Sequence, residues 1–324
     1  MSEPQQRAFP EALQPKAGET QFDISRALDA MILVRAEVPP DGFTVSNLGT
    51  ERGGYGAVIR EDGLVLTIGY LINEASQIWL TSNRGTVVPG YRLAYDHTTG
   101  FGLIQPLGKL DAPHLKRGLA ADVNVGDSVF AIGHGGSAHA LKTQIVAKQE
   151  FAGYWEYLLD EALFTAPAHP QWGGAALLDA QGDLIGTGSL LVQQEVNGQA
   201  THANMFVPID LLDPILESML QTGRSPHPPQ PWLGMSTQDP EGKLVVSKVA
   251  PGGPAQRAGV KVGDRVLSVG DLRVSALTDF FRAVWKLGAA GVEVPLTLTR
   301  DGDVLRITVK SADRHDFLKK PKLH

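Results

Sequence analysis

With 324 residues, 36 glycines, 21 prolines and only 20% charged residues, the chain is longer than one core usually grows. This composition favours several β-dominated units over a helical bundle. A net charge of −6 gives no basic footprint for DNA or RNA, and the absence of cysteine removes disulfides, thiolate metal sites and cysteine nucleophiles.

Residues 1–26 form a polar N-terminal extension with no basic-then-apolar pattern. The early apolar run Ala30 to Val34 is far too short to span a bilayer. No secretory signal or membrane span is therefore expected, and with Met1 as the start the expected location is the cytoplasm. Short apolar runs then recur, at Met31–Val34, Gly56–Ile59, Leu64–Thr67, Ile78–Leu80, Gly102–Ile104, Val129–Ile132 and Leu184–Gly186. Turn signals such as Glu61-Asp62-Gly63 and Gln181-Gly182-Asp183 separate them, the pattern of antiparallel strands in barrels or sandwiches. Leu211, Leu212, Ile215, Leu216 and Leu220 recur at helical spacing and predict a helix over Ile209–Gln221 that closes this region. The proline-rich stretch 224–231 reads as a stiff linker. Residues 232–312 are the length of one small domain, with a helix predicted over Leu277–Trp285, and 313–324 read as a polar, basic, frayed tail.

Within the second region, Pro251 to Val269 (PGGPAQRAGVKVGDRVLSV) resembles the S-P-A-x-x-A-G-L-x-x-G-D-x-I-x-x-V stretch of bacterial PDZ domains. The first region, 27–223, resembles the trypsin-like domain of HtrA-type serine proteases. Gly54-Tyr55-Gly56-Ala57-Val58-Ile59 stands for G-S-G-V-I, and Gly126 to Gly133 for G-D-x-V-x-A-I-G. Met205 to Ile209 is similar to F-A-I-P-I. The resemblance implies a mainly β protein: two six-stranded antiparallel β-barrels followed by a small α+β PDZ domain.

It also locates the three catalytic signatures. L-T-N-x-H-V stands as Leu66-Thr67-Ile68-Gly69-Tyr70-Leu71, which puts Tyr70 in the place of the histidine base. D-x-x-x-D-L-A-V stands as Asp96 to Leu103, with Gly100 in the place of the aspartate. G-N-S-G-G-P-L stands as Gln171 to Leu177, with Gly173 in the place of the serine, and Gln171, Trp172 and Gly173 are the remnant of the oxyanion loop. The family mechanism needs a hydroxyl nucleophile, an imidazole base and a carboxylate that orients it. None of the three stands at its position, which implies a pseudoprotease. Catalysis relocated to His97, His134, His139 or His169 with Ser137 or Ser189 has no supporting motif, since no G-x-S-x-G elbow is present. The spacing of His134, His139 and His169 matches no metal motif, so neither a metal nor another cofactor is expected. Phe151, Tyr154, Trp155 and Tyr157 form an aromatic cluster before the former active-site loop, read first as core or loop packing.

The PDZ resemblance implies a peptide groove. Trp232, Leu233, Gly234 and Met235 match the loop that captures a terminal carboxylate, and Thr278, Phe281 and Trp285 are assigned to the groove side of the helix. Leu277, Phe280 and Val284 are assigned to the core. Peptides or protein C-termini are the expected partners. Three readings stay open: an inactive adaptor, chaperone or regulator; a serine endopeptidase with a non-standard site; and a structural subunit that assembles into HtrA-like trimers and regulates an active protease by occupying one position, with a homotrimer as the assembly open to this chain by itself.

Overall fold

The computed structural model describes residues 9–320 apart from 17, 19, 197, 240 and 241. The chain is mainly β, with two closed six-stranded barrels and one further sheet. The first barrel contains β1 (Met31–Glu37), β2 (Glu51–Val58), β3 (Val65–Ile68), β4 (Gln77–Ser82), β5 (Val87–Tyr95) and β6 (Phe101–Pro106), closed in the order β1-β2-β3-β6-β5-β4. The second contains β7 (Ser128–Ile132), β8 (Ala140–Gly153), β9 (Tyr157–Ala166), β10 (Ala176–Leu178), β11 (Leu184–Val196) and β12 (Gln199–Pro208), closed as β10-β11-β12-β9-β8-β7. Their pairings are antiparallel, and closure leaves no barrel edge unpaired. Ile32, Val34, Leu80 and Leu103 fill the first barrel, and Ala131, Leu163, Leu177 and Ile185 the second, all fully buried. Each large aliphatic side chain so buried stabilises by about 1.5–3 kcal/mol.

Short helices α1 (Ile24–Asp29) and α2 (Val45–Leu48) flank the first barrel's opening strands. The Asp23 carboxylate caps α1 by accepting from Arg26 N at 3.1 Å. The polar extension is therefore not wholly outside the fold: Glu11–Leu13 forms one 3-10 turn, and Phe9 N donates to Ala138 O at 3.0 Å. The predicted closing helix is split into a 3-10 turn at Ile209–Leu211 and α3 (Asp213–Thr222). Pro214 has no N–H to continue a helix from Asp210, so the α-helix restarts around it.

The third sheet contains β13 (Met235–Gln238), β14 (Val245–Val249), β15 (Arg265–Val269), β16 (Leu272–Arg273), β17 (Glu293–Arg300) and β18 (Asp303–Lys310), in the order β13-β14-β15-β17-β18 with β16 beside β15. Helices α4 (Pro254–Arg257) and α5 (Leu277–Trp285) accompany it. Trp232 and Ala312 exchange backbone bonds of 3.0 Å and close this unit at its two ends. The tail does not fray immediately. Residues Arg314–Phe317 form a 3-10 turn, Phe317 packs its ring 4.6 Å from that of Trp232, and Leu318 is buried, because two apolar side chains outweigh the polar composition.

Two compact units emerge. Of the described residues, one comprises those up to Gln149 with 161–226 and 319–320; the other comprises Glu150–Asp160 with His227–Leu318. The outer end of the β8–β9 ribbon, including the aromatic cluster, thus belongs to the PDZ-bearing unit rather than to the barrels. Sequence order assigned it to the barrel region, because nothing local marks a ribbon that packs on a distant segment.

Candidate functional site

Tyr70 lies in the 3-10 turn Gly69–Leu71 that follows β3. Arg52 holds this turn, donating to Tyr70 O at 2.8 Å, Asn73 O at 3.0 Å and Thr44 Oγ1 at 2.7 Å. Glu74 anchors the same corner by accepting from Phe43 N and Thr44 N at 2.8 and 2.7 Å. The Tyr70 phenol donates to Ser189 O at 2.9 Å, and the Trp172 side chain hydrogen-bonds it as well. Burial pushes its pKa up, so the group is a neutral phenol at physiological pH.

Gly173 lies directly against that phenol. A Cβ built on Gly173 would fall 2.8 Å from Tyr70 Oη, closer than real Cβ contacts allow. The Tyr70 side chain therefore fills space next to Gly173. Gly173 O accepts from Tyr55 N at 2.8 Å, which seats the loop on the first barrel. Gly100 completes the triplet, accepting from Gly69 N at 2.7 Å, and its φ of 82° lies in the left-handed region. The nearest carboxylate in sequence, Asp96, is engaged in accepting from Thr99 N and Oγ1 at 2.8 and 2.7 Å. The three positions thus come together without an imidazole, a carboxylate or an aliphatic hydroxyl on any of them.

The loop that would supply oxyanion donors is tied inward. Gln171 N donates to His169 Nδ1 at 3.1 Å, and His169 Nε2 bonds His139 O at 3.0 Å, which fixes the neutral tautomer with its proton on Nε2. Burial lowers the His169 pKa to about 4. Asn204 locks the same residue by accepting from His169 N at 2.6 Å and donating to His169 O at 3.0 Å. Phe9 packs edge-on against this imidazole at 4.8 Å. His169 is thus an internal strut, and its role and that of Asn204 had no motif to announce them. His97 bonds Tyr95 Oη at 2.9 Å, and Ser189 supplies its carbonyl to Tyr70. Among the described residues no three His, Asp or Glu side chains gather as a metal site.

The second site is built on the loop before β13. Leu233 O and Gly234 O accept from Ala255 N and Ala250 N, each at 2.8 Å, and this leaves the neighbouring amides converging as an anion nest. Gly234 has φ 73°, where glycine carries no Cβ penalty. The nest is filled by a carboxylate of the chain itself. Leu233 N donates to Glu156 Oε2 at 2.8 Å, and Gly234 N and Met235 N donate to Oε1 at 2.9 and 3.2 Å. Glu156 is 5% exposed, and burial pushes its pKa up to about 7 against the pull of the amides and of Arg314.

On α5, Phe280 and Phe281 are both buried. Phe281 belongs to one apolar cluster with Phe280, Leu233, Met235 and Leu158 of the ribbon, and Trp285 stacks on it at 5.6 Å. Trp232 is buried and Thr278 is half-buried. Sequence reasoning missed Glu156, which stands inside the aromatic cluster it did single out.

Family models match the chain in two places, a trypsin-like peptidase domain over residues 54–186 and a PDZ domain over residues 231–311. In domain order, a trypsin-like peptidase domain followed by a PDZ domain, the chain is similar to the HtrA-type class of serine protease homologues. It is 25% identical over 283 residues to serine endoprotease DegS of Haemophilus influenzae, covering 83% of this chain and 78% of that protein. It is 26% identical over 306 residues to Protease Do-like 1, chloroplastic, of Arabidopsis thaliana, covering 86% and 68%. Among solved structures, the serine endoprotease from Yersinia pestis matches with a TM-score of 0.53 at 22% identity, covering 90% of this chain and 96% of that one. HtrA-type protease AlgWS227A with tripeptide matches at 0.55 and 19%, covering 92% and 97%. These structural likenesses speak for the fold alone.

Proposed function

We propose that this chain is a non-proteolytic member of its class, a pseudoprotease that acts as an adaptor, chaperone or regulator by binding peptides or protein C-termini through its PDZ domain. The observation that carries the reading is the contact of Tyr70 with Gly173: a phenol sits where a nucleophile and its base would have to meet. Acyl transfer needs a hydroxyl at 173 and a base near neutral pH, whereas a phenol with a pKa above its ordinary value of about 10 is a weak base, and glycine forms no acyl-enzyme. The Gln171 amide, engaged by His169, is a further obstacle, since oxyanion stabilisation requires donors aimed into the cleft.

The test is treatment of the purified chain with a fluorophosphonate probe and with unfolded casein. Neither labelling nor cleavage is expected; stoichiometric labelling would overturn the proposal. The homotrimer implied by the class is part of the same proposal, and light scattering on the full chain tests it.

A further inference from the structure

The nest formed by Leu233, Gly234 and Met235 is shaped for a carboxylate, and its occupant here is a side chain rather than a chain end. Around it the ribbon reproduces a bound peptide in several respects. Thr237 N, two residues along β13, donates to Tyr154 O at 3.3 Å, two residues before Glu156. The segment therefore runs antiparallel along the edge of β13 that β14 does not use, the geometry of strand addition. From the other side, Arg282 of α5 pairs with Asp160 at 2.6 Å and with Glu150, so it grips both strands of the ribbon. Leu158 joins the apolar cluster of Leu233 and Phe281. Glu156 has φ 63°, a left-handed turn that lets the chain reverse into β9 where a true ligand would end. Arg314 closes over the turn by donating to Trp155 O at 3.2 Å.

We propose that the Tyr154–Glu156 turn is an internal ligand of the PDZ groove, with the Glu156 side-chain carboxylate standing in for a C-terminal carboxylate, so that an incoming C-terminal peptide binds only by displacing it. The inference rests on the reading of this domain as a C-terminus binder, and goes beyond it by naming what that ligand must compete with. A groove open only part of the time binds with an apparent affinity reduced by its open fraction, and removing the internal carboxylate raises that fraction.

The experiment uses the full-length chain, Glu156→Gln and Glu156→Ala, with a fluorescein-labelled peptide of sequence Glu-Phe-Ala-Gly-Tyr-Trp-Val as a free acid and as its amide. Anisotropy should give about tenfold tighter binding of the free acid to both variants than to wild type, with the amide weaker throughout. In parallel, hydrogen exchange over residues 232–237 should be slow in wild type and markedly faster in both variants. Unchanged exchange, or equal peptide affinity across the three proteins, would overturn the internal ligand. Accelerated exchange with no peptide binding by any of the three would uphold it while removing the C-terminus reading. Glu156→Gln keeps the shape of the side chain, so a folding defect confined to Glu156→Ala leaves the comparison intact.

Discussion

Tyr70 and Gly173 compete for one place, since a Cβ on Gly173 would lie 2.8 Å from the Tyr70 hydroxyl. The substitution Gly173→Ser alone should therefore destabilise the fold by about 1–3 kcal/mol through overpacking. Removing the ring in Tyr70→Ala should relieve that clash, so the double variant should be less destabilised than the two single effects added together. Urea denaturation of the four proteins measures the coupling, expected to be about 1 kcal/mol or more. Strict additivity would show that the two positions do not meet.

Restoring Tyr70→His, Gly100→Asp and Gly173→Ser together should leave the protein inactive toward casein. Gly100 is held at φ 82°, where an aspartate costs about 1 kcal/mol and is displaced from extended geometry. The Gln171 amide also remains bonded to His169. Adding His169→Ala would free that amide, and activity appearing only then would identify the oxyanion loop as the remaining block.

Acid should destabilise the chain through His169. Its pKa is lowered by burial from 6.5 to about 4, so the unfolded chain binds the proton more readily. The stability tied to the neutral ring is fully present above about 6.5 and is lost as pH falls toward 4, up to about 3 kcal/mol. Thermal melts at pH 7.5 and 4.5 should show a smaller drop for His169→Gln than for wild type; equal drops would mean that other groups govern the acid limb.

The linker bearing Arg224 is exposed, and a limited tryptic nick there is expected. Because Glu150–Asp160 is part of the PDZ-bearing unit, that unit is built from both sides of the cut, and the two fragments should co-elute in size-exclusion chromatography. Separation of the fragments in wild type would show that the ribbon does not hold on the domain. Separation in Glu156→Ala alone would locate the hold in the carboxylate.

Local pattern determined the strand-rich architecture, since alternating apolar residues and glycine turns act over a few residues and read the same in any context. It also determined the PDZ resemblance, carried by the Pro251 to Val269 stretch, and the helix Leu277–Trp285, whose amphipathic spacing is a local property. Which residues stand at 70, 100 and 173 is likewise a matter of sequence. Tertiary structure alone decided that the Tyr70 hydroxyl meets Gly173 and Ser189, that His169 engages the Gln171 amide, and that Phe281 is as buried as Phe280. It also decided that Glu156 enters a nest 77 to 79 residues further along the chain. Such contacts depend on how two distant segments are brought together by packing, and a lone glutamate among aromatic residues carries no local trace of the amides that will receive it.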